Sequence, residues 1–123
     1  MTKLDEIISD NFETLKTLSG VSIRYVRGDS SVEMVAVAGS TDYAIEELSG
    51  LLESIQSRDF LVLASELVLG GSPVLPERGD EVREVLPNGE ELIYPVMSPA
   101  GSRHYEYSDP YRVVIRIHTK QTR

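Results

Sequence analysis

The side chains best suited to chemistry in this sequence are two histidines, His104 and His118, and several groups of carboxylates. A hydrolytic nucleophile would need a serine or threonine held against one of the imidazoles. No Gly-x-Ser-x-Gly elbow supplies it. His118 falls on a strand face shared with Arg116, and His104 sits between Arg103 and Tyr105 in a polar loop. His104 and Glu106 are two residues apart with Asp109 nearby, a loose set of oxygen and nitrogen ligands for a metal. Glu46-Glu47 and the group Glu77, Asp80, Glu81 and Glu84 would do acid–base work only in contrasting environments, and adjacency does not provide those. They read instead as a solvated acidic face. Gly70-Gly71 lacks the lysine and spacing of a phosphate loop. We therefore assign no catalytic residue, no cofactor and no metal ligand, and expect a protein that is not an enzyme.

A different pattern occupies the C-terminal third. Tyr94, Tyr105, Tyr107 and Tyr111 cluster with Arg103, Arg112 and Arg116. Tyrosine and arginine are enriched at the centres of protein interfaces. Contacts to another subunit or partner are accordingly expected from Arg103, His104, Tyr105, Tyr107, Tyr111, Arg112 and Arg116. The competing reading is structural, with tyrosines on a sheet and their phenol groups reaching water.

Positioning these residues falls to a helix and a succession of short strands. Leu4, Ile7, Ile8, Phe12, Leu15 and Leu18 recur at helical spacing over residues 2–18. Thr2 would cap this helix, Asp5 and Glu6 suit its first turn, and Gly20 would end it. It either packs on the domain or serves a neighbouring subunit. Val21, Ile23 and Tyr25 alternate as a strand, Gly28-Asp29-Ser30 turns, and Ser31 to Ala38 returns, with Gly39-Ser40 as the next break. Residues 41–52 read as a short helix or as a hairpin turning at Leu48-Ser49-Gly50. The hairpin is preferred because Gly50 weakens a helix and the strand ending at Leu63 needs an antiparallel partner.

The stretch from Ser57 to Val82 is a corner. Its strand ends at Leu63, and Ala64 to Leu69 can form a helical turn. Pro73 and Pro76 then argue against regular pairing, and Arg78-Gly79-Asp80 turns into a strand at Glu81. Asn88-Gly89 sets a hairpin between Glu81–Val85 and Glu91–Met97. Ser98 to Pro110 is a long polar connection, Tyr111 to Thr119 the last strand, and Lys120 to Arg123 a polar tail. The fold expected is mainly β: a small β-barrel or sandwich of about seven strands with an N-terminal α-helix. We place it in a single domain over residues 1–123, with the helix in 1–20 and the barrel in 21–120.

Composition agrees with one globular domain. The chain has 123 residues, 41% hydrophobic and 26% charged, and no cysteine. Disulfides and thiolate metal sites are excluded. No secretory signal and no apolar run of membrane-spanning length is evident, so a soluble cytoplasmic protein without a membrane partner is expected. The net charge is −8, and residues 41–90 alone hold eleven acids against three arginines. Residues 91–123 hold five bases against three acids. The acidic middle disfavours a phosphate-binding surface. The basic C-terminal strand would suit an acidic neighbour, including another copy of the same chain.

The order of signals from Ser57 onward resembles the bacteriophage head–tail joining proteins, also called head-completion or stopper proteins. Ser57-Arg58-Asp59-Phe60-Leu61-Val62, Glu66-Leu67 and Pro76-Glu77-Arg78-Gly79-Asp80 carry the resemblance. Leu92-Ile93-Tyr94-Pro95-Val96 and Tyr111-Arg112-Val113-Val114-Ile115-Arg116-Ile117-His118-Thr119-Lys120 complete it. The resemblance implies a compact barrel working as a homo-oligomeric ring, bound to the portal or its adaptor on one side and the tail on the other. It implies DNA passing through the lumen without sequence reading, assembly in the host cytoplasm, and a place in the virion if the phage is functional. Two other readings rank below this one. A cellular β-barrel module would bind a peptide or small ligand through the tyrosine-rich loop, and a metal-assisted hydrolase would use His104, Glu106 and Asp109.

Overall fold

The computed structural model describes residues 3–46, 52–98 and 103–120. Helix α1 spans Lys3–Ser19 and runs directly into β1, Gly20–Arg27. Then come β2, Ser30–Glu46, and β3, Leu52–Leu63. After a 3-10 turn at Ala64–Glu66 come β4, Val68–Leu69, and β5, Ser72–Pro73. The chain continues through β6, Glu81–Val85; β7, Glu91–Pro95; β8, Tyr105–Tyr107; and β9, Val114–Lys120. Seven strands form one antiparallel sheet in the order β7-β6-β1-β2-β3-β9-β8, and β4 and β5 form a ribbon of their own. The sheet curls into a half-barrel, so that Val96, just past β7, bridges to Thr119 on β9. The mainly β expectation holds.

Two apolar clusters hold the fold together. Ile23, Tyr25, Phe60, Val62, Val82 and Ile117 belong to the principal core on one face of the curled sheet. On the other face, Phe12 of α1 packs with Leu63 and Val114, flanked by Ile8, Val37 and Leu61. The apolar stripe of α1 is wider than this contact. Leu4, Ile7 and Leu15 are about half exposed, and Leu18 is 77% exposed.

The junction between α1 and β1 depends on Gly20. A Cβ there would lie 2.3 Å from the Lys16 carbonyl oxygen and 2.5 Å from Val35 Cγ1. Its φ is not in the left-handed region, so the need is for space rather than for backbone freedom. Gly28, at φ 57°, does need that freedom, because it opens the two-residue turn closed by the Arg27–Ser30 pair.

Local expectations at Gly39-Ser40, at Pro73 and after Ser98 are corrected, while the hairpin preferred over 41–52 holds. Gly39-Ser40 does not break the chain: β2 pairs with β1 up to Val37 and with β3 from Val37 to Glu46, so the strand changes partner without interruption. The same pairing makes 41–52 a hairpin, with Glu46 opposite Leu52; the expected turn at Leu48-Ser49-Gly50 lies outside the described residues. Pro73 does pair, opposite Val68, because an edge position needs no N–H from it. The polar connection from Ser98 contains a strand, β8, and the last strand starts at Val114 rather than Tyr111.

Candidate functional site

The β8 edge and the turn that follows it carry most of the residues singled out as contacts. Tyr105 and Tyr107 pair with Ile117 and Ile115, and both rings pack against the principal core. The rings meet edge to face, 5.9 Å between centroids at 88°. The Arg112 guanidinium lies 5.6 Å from the centre of the Tyr107 ring. Arg103 and Arg112 are exposed, Tyr111 is 43% exposed, and His104 is half-buried. The His104 carbonyl accepts the His118 N–H at 2.9 Å, which fixes the entry to β8.

Asp109 builds the turn into β9. Its carboxylate accepts the backbone N–H groups of Tyr111 (2.9 Å), Val113 (3.0 Å) and Val114 (2.8 Å). This holds Arg112 at φ 60°, a conformation that is costly for a residue with a side chain. The Asp109 oxygens are thus committed to backbone donors. Among the described residues, no group of three or more His, Asp or Glu is arranged to hold a metal.

Arg116 lies apart from the tyrosines. It is on the other face of β9, its Nη1 2.8 Å from Asp59 Oδ2. Asp59 is the centre of a buried polar cluster that sequence reasoning missed. Its Oδ1 accepts from Ser57 Oγ at 2.6 Å and lies 3.0 Å from His118 Nδ1, and Thr41 donates to its Oδ2. Register explains the convergence, since Asp59 pairs with Gly39 on one side and His118 on the other. Burial alone would push the Asp59 carboxyl up. Donors from His118, Ser57, Thr41 and Arg116 outweigh it and hold the group well below the usual carboxylate range. With the carboxylate ionised, His118 Nδ1 carries the proton it shares. Ser57 directs its hydroxyl at the carboxylate, so it is not a nucleophile activated by a base.

A second buried carboxylate pins the corner. Asp80 accepts from the Tyr25 hydroxyl, from Arg27 Nε at 3.0 Å and Nη2 at 2.8 Å, and from the Glu77 N–H at 3.0 Å. Burial is opposed here too by the donors, chiefly Arg27 and Tyr25, and the Asp80 carboxyl lies below its usual range. Burial, then the bond to Asp80, pushes the Tyr25 phenol far above its ordinary value. The solvated acidic face is therefore corrected at Asp80, Glu81 and Glu84; Glu77 is exposed as expected, and the side chains of Glu46-Glu47 lie outside the described residues. Asp80 is buried, Glu84 pairs with Arg58 at 3.1 Å, and Glu81 pairs with Arg83 at 2.9 Å. Both buried clusters join strands by their side chains. Neither stood out in the sequence: Asp59 follows Arg58, and Asp80 stands among Glu77, Arg78, Gly79 and Glu81.

The geometry thus separates structural polar groups, which are buried and internally satisfied, from the β8 side, where Arg103, Tyr111 and Arg112 are exposed around the half-buried Tyr105 and Tyr107. A search of curated proteins returns no match. The family model for phage head-tail joining proteins matches residues 4–123, which takes in α1, every strand and both buried clusters. The chain belongs to the phage head-tail joining protein family, and is a phage structural protein.

Proposed function

We propose that this protein completes the phage head by joining its portal side to the tail, as a ring of copies around the DNA channel. The match of the family over residues 4–123 carries this reading. Membership supports contact with head and tail proteins; the ring, the channel and the particular partners are our inference. Assembly would take place in the host cytoplasm and leave the protein in the virion. Its work on this reading is structural rather than catalytic.

The subunit contacts we propose lie on the β8 side, at Arg103, His104, Tyr105, Tyr107, Tyr111 and Arg112. Arg116 contributes through Asp59, by fixing β9 against β3. The exposed leucines and isoleucine of α1 offer a second contact, because an apolar strip of this kind is stabilised by a partner. An acidic protein lining a channel would let DNA slide rather than hold it.

Complementation tests the reading. Phage lacking their own joining component should regain infectious particles when this chain is supplied, and heads isolated from the rescue should carry it between portal and tail. Filled heads that remain tailless in its presence, together with no binding to purified portal, would overturn it.

A further inference from the structure

Helix α1 has two apolar sides. Phe12 and the half-buried Ile8 pack on the sheet, whereas Leu4, Ile7, Leu15 and Leu18 are 48% to 77% exposed, with exposed Asn11 among them. At about 100° of turn per residue, these four lie within about 40° of Asn11 and form one strip beside the sheet contact. Every Asp, Glu and Lys of α1 falls about 80° or more from the line of that strip. The strip exposes a few hundred Å² of apolar surface, the extent that marks an interaction site on a soluble protein. Its inner flank opens on a groove of about 240 Å³ lined by Leu15, Phe12, Leu61 and Val114.

Spacing identifies the cover. Counted outward from Asn11, the strip reads the same in both directions: Leu4 and Leu18 stand seven residues away, Ile7 and Leu15 four. A second copy of α1 laid antiparallel, with the two-fold axis through Asn11, therefore sets Leu4 against Leu18 and Ile7 against Leu15 on both sides of the axis. Ridges of the second helix then fill the groove beside Leu15. Parallel pairing would need Ile8 in place of Ile7 to keep a heptad seam, and Ile8 is packed toward the sheet. Antiparallel helices also bring opposite dipole ends together. Glu6, Asp10 and Glu13 stay off the contact, so the acids of the two copies do not oppose it. The two Asn11 carboxamides can each donate to the other's oxygen, and a polar residue in an apolar seam fixes its register.

We propose that free copies of this chain pair through α1, antiparallel about Asn11. The strip is smaller than the roughly 800 Å² per partner of a standard stable interface, so the pair is reversible. A two-fold contact is closed by two copies and adds no third. It is thus separate from the β8-side contact of a ring, and it does not depend on the joining role.

The chain has no cysteine, so each introduced thiol is the sole one. Under mild oxidation N11C should link to itself, and E13C, on the far side of α1, should not. L4C mixed with L18C should give more linked heterodimer than either homodimer. L18D, at the most exposed position of the strip, and L4K should each weaken pairing about tenfold in sedimentation, with unchanged melting temperature. Mixing those two should restore pairing, because the introduced charges then face each other. N11C linkage no greater than that of E13C would overturn the proposal, as would L4C or L18C homodimer in excess or no recovery on mixing. Complementation run in parallel keeps the two readings apart. Rescue by a chain that does not cross-link removes the α1 pair and leaves head–tail joining standing; failure of the unaltered chain to rescue removes the latter whatever the cross-link shows.

Discussion

The His118 imidazole and the Asp59 carboxylate meet across the β3–β9 pairing, Nδ1 3.0 Å from Oδ1, with both side chains buried. Arg116, two residues before His118, reaches the other oxygen of the same carboxylate at 2.8 Å. Three strands, β2, β3 and β9, are thereby tied by one anion at the point where the long hairpin leaves the barrel.

Removing that anion should cost the fold heavily. Asp59→Asn leaves the Arg116 guanidinium without its counter-charge and disturbs the donors from Ser57, Thr41 and His118. A loss of about 3 kcal/mol or more is expected, read as a lower urea midpoint. The pH dependence follows from the depressed carboxyl. The contribution is complete above the unfolded value of about 3.9 and is lost as pH falls through the lower folded value. The native chain should therefore lose stability progressively below about pH 4. Asp59→Asn should lose less over the same range, and an equally steep acid profile in the variant would assign the effect elsewhere.

Tyr25 offers the opposite pH signature. Its phenol donates to Asp80 from a fully buried position, and its titration is pushed upward. A raised folded-state value means stability intact below the unfolded value of about 10 and falling as pH rises beyond it. Tyr25→Phe keeps the ring in the core and removes one donor, while Arg27 and the Glu77 N–H still serve Asp80. The expected loss at neutral pH is about 1.5–3 kcal/mol, with a weaker decline in alkali. Thermal melts from pH 7 upward would read both.

How much of this could be read from the sequence depends on how far apart the partners lie. Helix α1 was legible because its apolar spacing is local, and the β6–β7 hairpin because Asn88-Gly89 dictates its own turn. The strand β8 was not, since Tyr105–Tyr107 is short, set among turn formers, and strand-like only through its pairing with β9. Gly39-Ser40 looked like a break because the change from β1 to β3 as partner leaves no local mark. Asp59 and Asp80 carried no visible sign of their roles. Their partners Arg116, His118, Tyr25 and Arg27 lie more than fifty positions away and meet them only through register. The Tyr/Arg grouping was visible as composition, because its residues lie close together in the chain, but its division was not: Tyr94 enters the core and Arg116 turns to the opposite face of β9.

Gly20 should resist any side chain. The Lys16 carbonyl that a Cβ would meet belongs to the last turn of α1 and cannot rotate aside. Gly20→Ala should cost about 1–3 kcal/mol through displacement of the helix from the sheet. Quenching of a probe attached to α1 would report the displacement. A chain as stable as the original, with α1 unmoved, would mean that the junction relaxes without cost.

Arg112 separates folding from assembly. Its backbone is left-handed, which glycine adopts without penalty, and its guanidinium faces solvent over the Tyr107 ring. Arg112→Gly relieves the backbone and gives up the cation–π contact, while the unfolded chain gains freedom. These effects oppose one another, so stability should change by no more than about 1 kcal/mol. The side chain offered to a neighbouring copy is nevertheless gone. If the β8 side is a subunit contact, the variant should fold normally, self-associate less and rescue joining-deficient phage poorly. A variant that folds and rescues as well as the original would place the contact on another surface, with the exposed apolar strip of α1 the next to substitute.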